Sequence, residues 1–175
     1  MNRKERIAVA LFDNANVKGT VLFKQASPES HVHVSFNFNS LKPNTVRAIH
    51  IHEYGDEREG CTSLGGHWNP HKQTHGSIIL PELGRHAGDL INNIKSDDEG
   101  NFVYEYNDEL LNLFGPIQTT IIGRSVVIHD GVDDLGLGGL NNDGTVDWKK
   151  FETSLENGNA GSRMACAIIG IASNN

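Results

Sequence analysis

The sequence predicts an all-β fold of eight strands, built as a barrel or sandwich, and three observations carry the prediction. Nineteen of its 175 residues are glycine. β-Branched residues are frequent, and apolar stretches are short, about five to eight residues each. Long helix-period patterns are missing.

The strands follow in order, each bounded by turn-forming residues. Ile7–Phe12 and Val17–Phe23 flank Asn14 and Asn16, and His31–Phe38 follows Pro28. Thr45–His52 follows Pro43 and Asn44, and Ala87–Ile94 comes after a long polar span. Asn101–Tyr106 follows Gly100, and Thr119–His129 and Arg163–Ala172 complete the set. Asp108–Phe114 and Asp147–Leu155 each have room for one helical turn. Two segments, Glu53–His86 and Asp130–Ser162, resist strand assignment. Structureless spans beyond about 12 to 15 residues in a compact domain are usually functional or disordered, and these hold most of the chemistry-bearing residues.

Length and 37% hydrophobic content suit one domain over residues 1–175. No segment has the apolar length of a membrane span and no secretory leader is evident, so a cytoplasmic protein away from membranes is expected. A formal charge of -7 with no basic stripe argues against nucleic acid as a partner. Cys61 and Cys166 fit neither a zinc ribbon nor a Cys-x-x-Cys pair, and by themselves read as two unrelated buried thiols.

His50, His52, His67, His75, His86, His129 and Asp89 supply six imidazoles and a carboxylate, enough donors for two ions such as zinc and copper. On a strand, residues i and i+2 share a face, so His50 and His52 can chelate one ion while Ile51 packs opposite. His31-Val32-His33 has the same spacing, and such a pair alone is ordinarily a solvated strand face. His67, His75, His86 and Asp89 form an N3O set of the kind zinc accepts, with His71 as a bystander.

The sequence at these residues resembles the copper/zinc superoxide dismutase family. The resemblance is carried by His50-Ile-His-Glu-Tyr-Gly-Asp56, Gly60-Cys-Thr-Ser63, Gly66-His-Trp-Asn-Pro70, His75-Gly76 and Arg85-His86-Ala87-Gly88-Asp89-Leu90. Ile121-Ile-Gly-Arg124, Val127–His129, Asp133-Asp-Leu-Gly136 and Gly158-Asn-Ala-Gly-Ser-Arg-Met-Ala-Cys166 extend it, so that it runs from about Ile7 to Ala172. It implies Greek-key connections and an immunoglobulin-like sandwich architecture. Copper would fall to His50, His52, His67 and His129, and zinc to His67, His75, His86 and Asp89, with His67 as a shared bridge. Asp133 would link His50 to His75. Cys61 and Cys166 would form a disulfide.

The resemblance also implies an activity, two-step dismutation of superoxide to oxygen and hydrogen peroxide as copper alternates between Cu(II) and Cu(I), with His67 carrying a proton. Arg163 would attract and orient the anion. It further implies a homodimer packed around Tyr54–Gly60, Ile122–Gly123 and Ile168–Ala172, and a possible copper chaperone as partner. A non-catalytic copper-delivery module of the same fold is the alternative, as is a hydrolytic zinc enzyme.

The sequence departs from the family in one loop. Gly131 and Glu156 stand where the family often has lysines, which predicts a shallower dependence of rate on ionic strength. The Leu140–Asn157 insertion is long, and its Lys149 and Lys150 read as a solvated turn. Asp143-Gly-Thr-Val-Asp-Trp148 lacks carboxylates at the first and twelfth positions of a calcium loop, and Gly136, Gly138 and Gly139 do not make a nucleotide-binding turn.

Overall fold

A computed structural model describes residues 5–173. Its strands are β1 (Arg6–Asp13), β2 (Lys18–Gln25), β3 (Val32–Phe38), β4 (Val46–His52), β5 (Arg58–Cys61), β6 (Asn93–Lys95), β7 (Phe102–Asp108), β8 (Ser125–His129) and β9 (Arg163–Ile171). One α-helix, α1 (Trp148–Asn157), accompanies them. Eight strands form one antiparallel sheet in the order β6-β4-β8-β9-β1-β2-β3-β7, curled into a nearly closed barrel. The all-β expectation holds, and among the described residues no helix is long and apolar enough to cross a membrane.

Period-two alternation builds the barrel wall. On β1, Ala8, Ala10 and Phe12 are buried while Leu11 is exposed. Phe23, Phe36, Phe38, Ile49, Ile51, Ile128 and Ile169 complete the interior. β4 differs in one respect. Its inward Ile49 and Ile51 enter the apolar core, yet the outward His50 and His52 are buried as well. Something covers the outside of this strand, and that cover is the pair of long loops.

Four expectations need correction. Ala87–Ile94 is not a strand: residues 87–89 form a 3-10 turn and only Asn93–Lys95 pairs. Leu90 and Asn92 take positive φ, which breaks the extended run. Gly88 comes so close to Ile51 and Trp68 that a Cβ there would lie 2.4 Å from the Ile51 carbonyl oxygen. Thr119–Arg124 is a turn closed by Thr120 N–H to Pro116 O and Arg124 N–H to Ile121 O, so β8 starts only at Ser125. Asp108–Phe114 has no helical turn, because Asp108 and Asn112 side chains accept the N–H groups of Leu110 and Phe114 instead. Finally, α1 spans ten residues rather than one turn. Asp147 caps its start by accepting from Lys150 N, and Gly158 in the left-handed region (φ 67°) stops it.

Candidate metal centre

β4 and β8 lie side by side in the register His50↔Val127 and His52↔Ser125. An irregularity at Ile128/His129 re-aims His129, whose Nε2 comes to 3.2 Å from His52 Nε2. The loop after β5 is stitched onto β4 by Trp68 N–H to Ile51 O (2.8 Å) and Glu53 N–H to Gly66 O (3.0 Å). That stitch lays the His67 ring over His50, centroid to centroid 3.9 Å. Four buried imidazoles from three segments thus share one spot, with one donor atom of each within 4.8 Å of the others.

A second cluster lies beside the first. The Nδ1 atoms of His67, His75 and His86 stand 3.1, 3.0 and 3.2 Å from Asp89 Oδ1. The 3-10 turn at Ala87–Asp89, absent from the strand expectation, brings Asp89 there, and its other oxygen accepts the N–H groups of His86 (2.8 Å) and Gly76 (3.1 Å). His67 belongs to both groups. Its Nδ1 faces Asp89, whereas its buried Nε2 has no hydrogen-bond partner.

The donors fit metal ions by two tests. Buried polar atoms normally find partners, yet His50 Nδ1, His67 Nε2 and His86 Nδ1 are left without a hydrogen bond, each at a cluster. A tetrahedron with arms of about 2.0 to 2.1 Å has edges of about 3.3 Å, close to the spacings around Asp89 Oδ1. The opposite ring nitrogens are anchored, as ligand imidazoles ordinarily are. His52 Nδ1 bonds Gly65 O at 3.0 Å, His129 Nδ1 bonds Gly161 O at 3.2 Å, and His50 Nε2 bonds Asp133 Oδ2 at 2.6 Å.

Asp133 ties the clusters together. Its second oxygen takes His75 Nε2 at 2.9 Å, and Asn92 Nδ2 donates to the first at 3.0 Å. Asn92 was not anticipated from the sequence; only an asparagine's tolerance of positive φ marked it, here 61°. Burial, with His67 nearby, drives His50 to a pKa of about 3, His52 falls to about 2 for the same reasons, and His129 is pushed to about 4 chiefly by burial. These rings are neutral donors. Burial opposes the charge of Asp133 as well, but hydrogen bonds from His50 and His75 outweigh it and hold the carboxyl below its ordinary range.

A cavity of about 190 Å³ opens over the first cluster, lined by His52, His67, His129 and Arg163 among others. Arg163 donates to the carbonyls of Cys61 (2.7 Å), Thr62 (3.2 Å) and Gly65. Cys61 and Cys166 are bonded as a disulfide, so the reading of two unrelated buried thiols fails, and neither is fully buried. Of the remaining histidines, His31 and His71 are exposed and His33 is half-buried, 3.5 Å from Glu105; none joins a cluster.

The profile of copper/zinc superoxide dismutase (SODC) matches residues 17–169. The chain belongs to this family. A copper/zinc superoxide dismutase of Neurospora crassa is 44% identical over 91% of this chain and 93% of its own length. One from Saccharomyces cerevisiae is 44% identical over 90% and 92%. The crystal structure of the clock protein EA4 superposes with a TM-score of 0.77 at 33% identity, covering 98% of this chain and 97% of that one. Family membership makes copper and zinc the cofactors of a superoxide dismutase, and superoxide its substrate.

Proposed function

We propose that His50, His52, His67 and His129 hold copper, that His67, His75, His86 and Asp89 hold zinc, and that superoxide is disproportionated at the copper side. The observation carrying this reading is His67, one ring with a nitrogen turned to each cluster. Bound copper supplies a one-electron couple, Cu(II)/Cu(I), that serves two superoxide anions in turn, while zinc has no redox state to offer.

The chain's own residues do the rest. Arg163 places a fixed cation at the cavity, where its carbonyl anchors leave it little freedom to swing away. Superoxide is drawn to and oriented by that charge. His67 can hold a proton at Nε2 while Nδ1 stays turned toward Asp89, which makes it a proton store in the wall of the cavity. Asp133 fixes the rings of His50 and His75 together, so neither site moves alone.

Metal analysis with a superoxide assay tests the reading. One copper and one zinc per chain with fast superoxide removal is expected. Zinc alone in a correctly loaded sample would favour the hydrolytic rival, and both metals without turnover the copper-delivery module; the complete donor set, Asp133 and Arg163 support catalysis. Arg163→Ala should keep both metals and slow catalysis roughly 10- to 100-fold, the range for a hydrogen bond to a charged group. Unchanged turnover would remove Arg163 from the mechanism.

A pH effect follows from His75. Burial opposes its charge, but Asp133 and Asp89 prevail and lift its pKa to about 9 in the metal-free chain. Raised above the ordinary 6.5, this contribution to stability is full below that value and lost as pH rises through about 9. At neutral pH zinc must therefore displace a proton from His75 Nδ1. Titration calorimetry in buffers of different ionisation heat should find about one proton released from this ring per zinc, fewer above its pKa.

A homodimer is part of the proposal. Tyr54 and Ile171 are largely exposed, and Gly55 lies against Gly123 and Ile168, which gathers the three family dimer segments on one face. A cytoplasmic setting and copper delivery by a chaperone complete the reading on family grounds; sedimentation and cell fractionation check them.

A further inference from the structure

Helix α1 brings the wrong sign of charge to the cavity. The lining includes Glu156 and Asn157 from its last turn, next to His52, His67 and His129, and Arg163 is the one cationic side chain there. Lys149 and Lys150 sit at the other end of the helix, about 9 to 10 Å back along its axis, and line no part of the opening. Moreover, the end of a helix that points at the opening is its carbonyl end, which carries roughly half a negative charge.

That placement is fixed by contacts. Asp134 accepts from Ser154 Oγ (2.5 Å) and Asn159 Nδ2 (2.6 Å), and His75 N–H bonds Leu155 O (2.7 Å). Gly158 packs so tightly that a Cβ would lie 2.4 Å from Asp133 Oδ1. Among the described residues no cation pairs with the exposed Glu156. Its charge therefore acts on whatever enters.

We propose that Glu156 makes the mouth a charge-selective filter, offsetting the pull of Arg163 more for dianions such as inorganic phosphate than for small monoanions such as superoxide. Coulomb energy is linear in the charge of the visitor, so Arg163 draws a dianion twice as strongly as a monoanion and Glu156 repels it twice as strongly, and the factor by which Glu156 weakens binding is squared. The anion's entry is slowed somewhat, and its divalent competitors are slowed far more. This rests on the superoxide reading for its substrate, although the filter itself is a property of Glu156 and Arg163.

The test compares Glu156→Gln with Glu152→Gln, a substitution that removes the same charge one turn earlier, at a side chain outside the opening. Azide and phosphate are titrated at alkaline pH against the Arg163 side-chain NMR signal, and superoxide kcat/KM is measured on the metal-loaded enzyme. Glu156→Gln should tighten azide about twofold and phosphate about fourfold, with kcat/KM rising about twofold. Glu156→Lys should go further and make the rate fall steeply with added salt, while the parent stays nearly flat. Equal shifts for azide and phosphate, or equal effects of Glu152→Gln, would overturn the filter. Loss of the superoxide assay alone would overturn the assigned activity and leave the anion titrations to decide Glu156.

Discussion

His67→Ala should lower superoxide turnover by roughly 100-fold or more while the barrel stays folded. Two losses combine. The ring is the one donor common to both clusters, so its removal leaves three histidines on one side and two histidines with Asp89 on the other. It also removes the proton store, and a positioned acid is typically worth about 10²- to 10⁴-fold. Its backbone stitch to β4 is made by neighbouring residues, Trp68 and Gly66, which the substitution leaves in place. Circular dichroism should thus be unchanged, zinc affinity reduced, and the spectrum of bound copper insensitive to removal of zinc. Wild-type turnover in this variant would end the bridged-centre reading.

Removing the disulfide should cost the most stability. Cys61 and Cys166 are 105 positions apart, and closing a loop of that size is worth about 4 to 5 kcal/mol in the chain-entropy treatment, within a usual range of about 2 to 5. For a chain of this length about 1 kcal/mol corresponds to about 2 to 4 °C in Tm, so the Cys61→Ala/Cys166→Ala double variant should melt about 10 °C lower or more. Activity should fall with it, since Cys61 O and Thr62 O are two of the three carbonyls that hold Arg163. Calorimetry and the superoxide assay on one metal-loaded sample separate the two effects. A Tm within a degree or two of the parent would show that the bond does not constrain the unfolded chain.

Much of the barrel was legible because alternation is a property of the strand itself. Ala8, Ala10 and Phe12 point inward wherever β1 is placed, and so do Ile49 and Ile51 on β4. The two histidine clusters were legible only through the family motifs, because their members meet in space from separate segments of the chain. What escaped depends on close tertiary contact. The turn at Ala87–Asp89 exists because Gly88 must nestle against Ile51 and Trp68, a demand invisible from residues 87–94 alone. β5 at Arg58–Cys61 is four residues long and too polar to announce itself. The full length of α1 was hidden because Asn157 is a poor helix former, kept helical by the Gly158 stop and by Ser154 buried against Asp134. Asn92 and the Arg163 acceptors involve partners dozens of positions away.

The inserted span has one further consequence, which concerns its ends. Asp134 N–H meets Gly158 O at 2.9 Å, so everything between leaves and rejoins the molecule at almost one point. Closing a flexible excursion costs little more as it lengthens, about 0.6 kcal/mol per doubling. Extra length is therefore best absorbed at the exposed tip, where Asn141 N–H meets Thr145 O at 3.0 Å, since the stretch that follows carries the Leu155 carbonyl bonded to His75 and must stay.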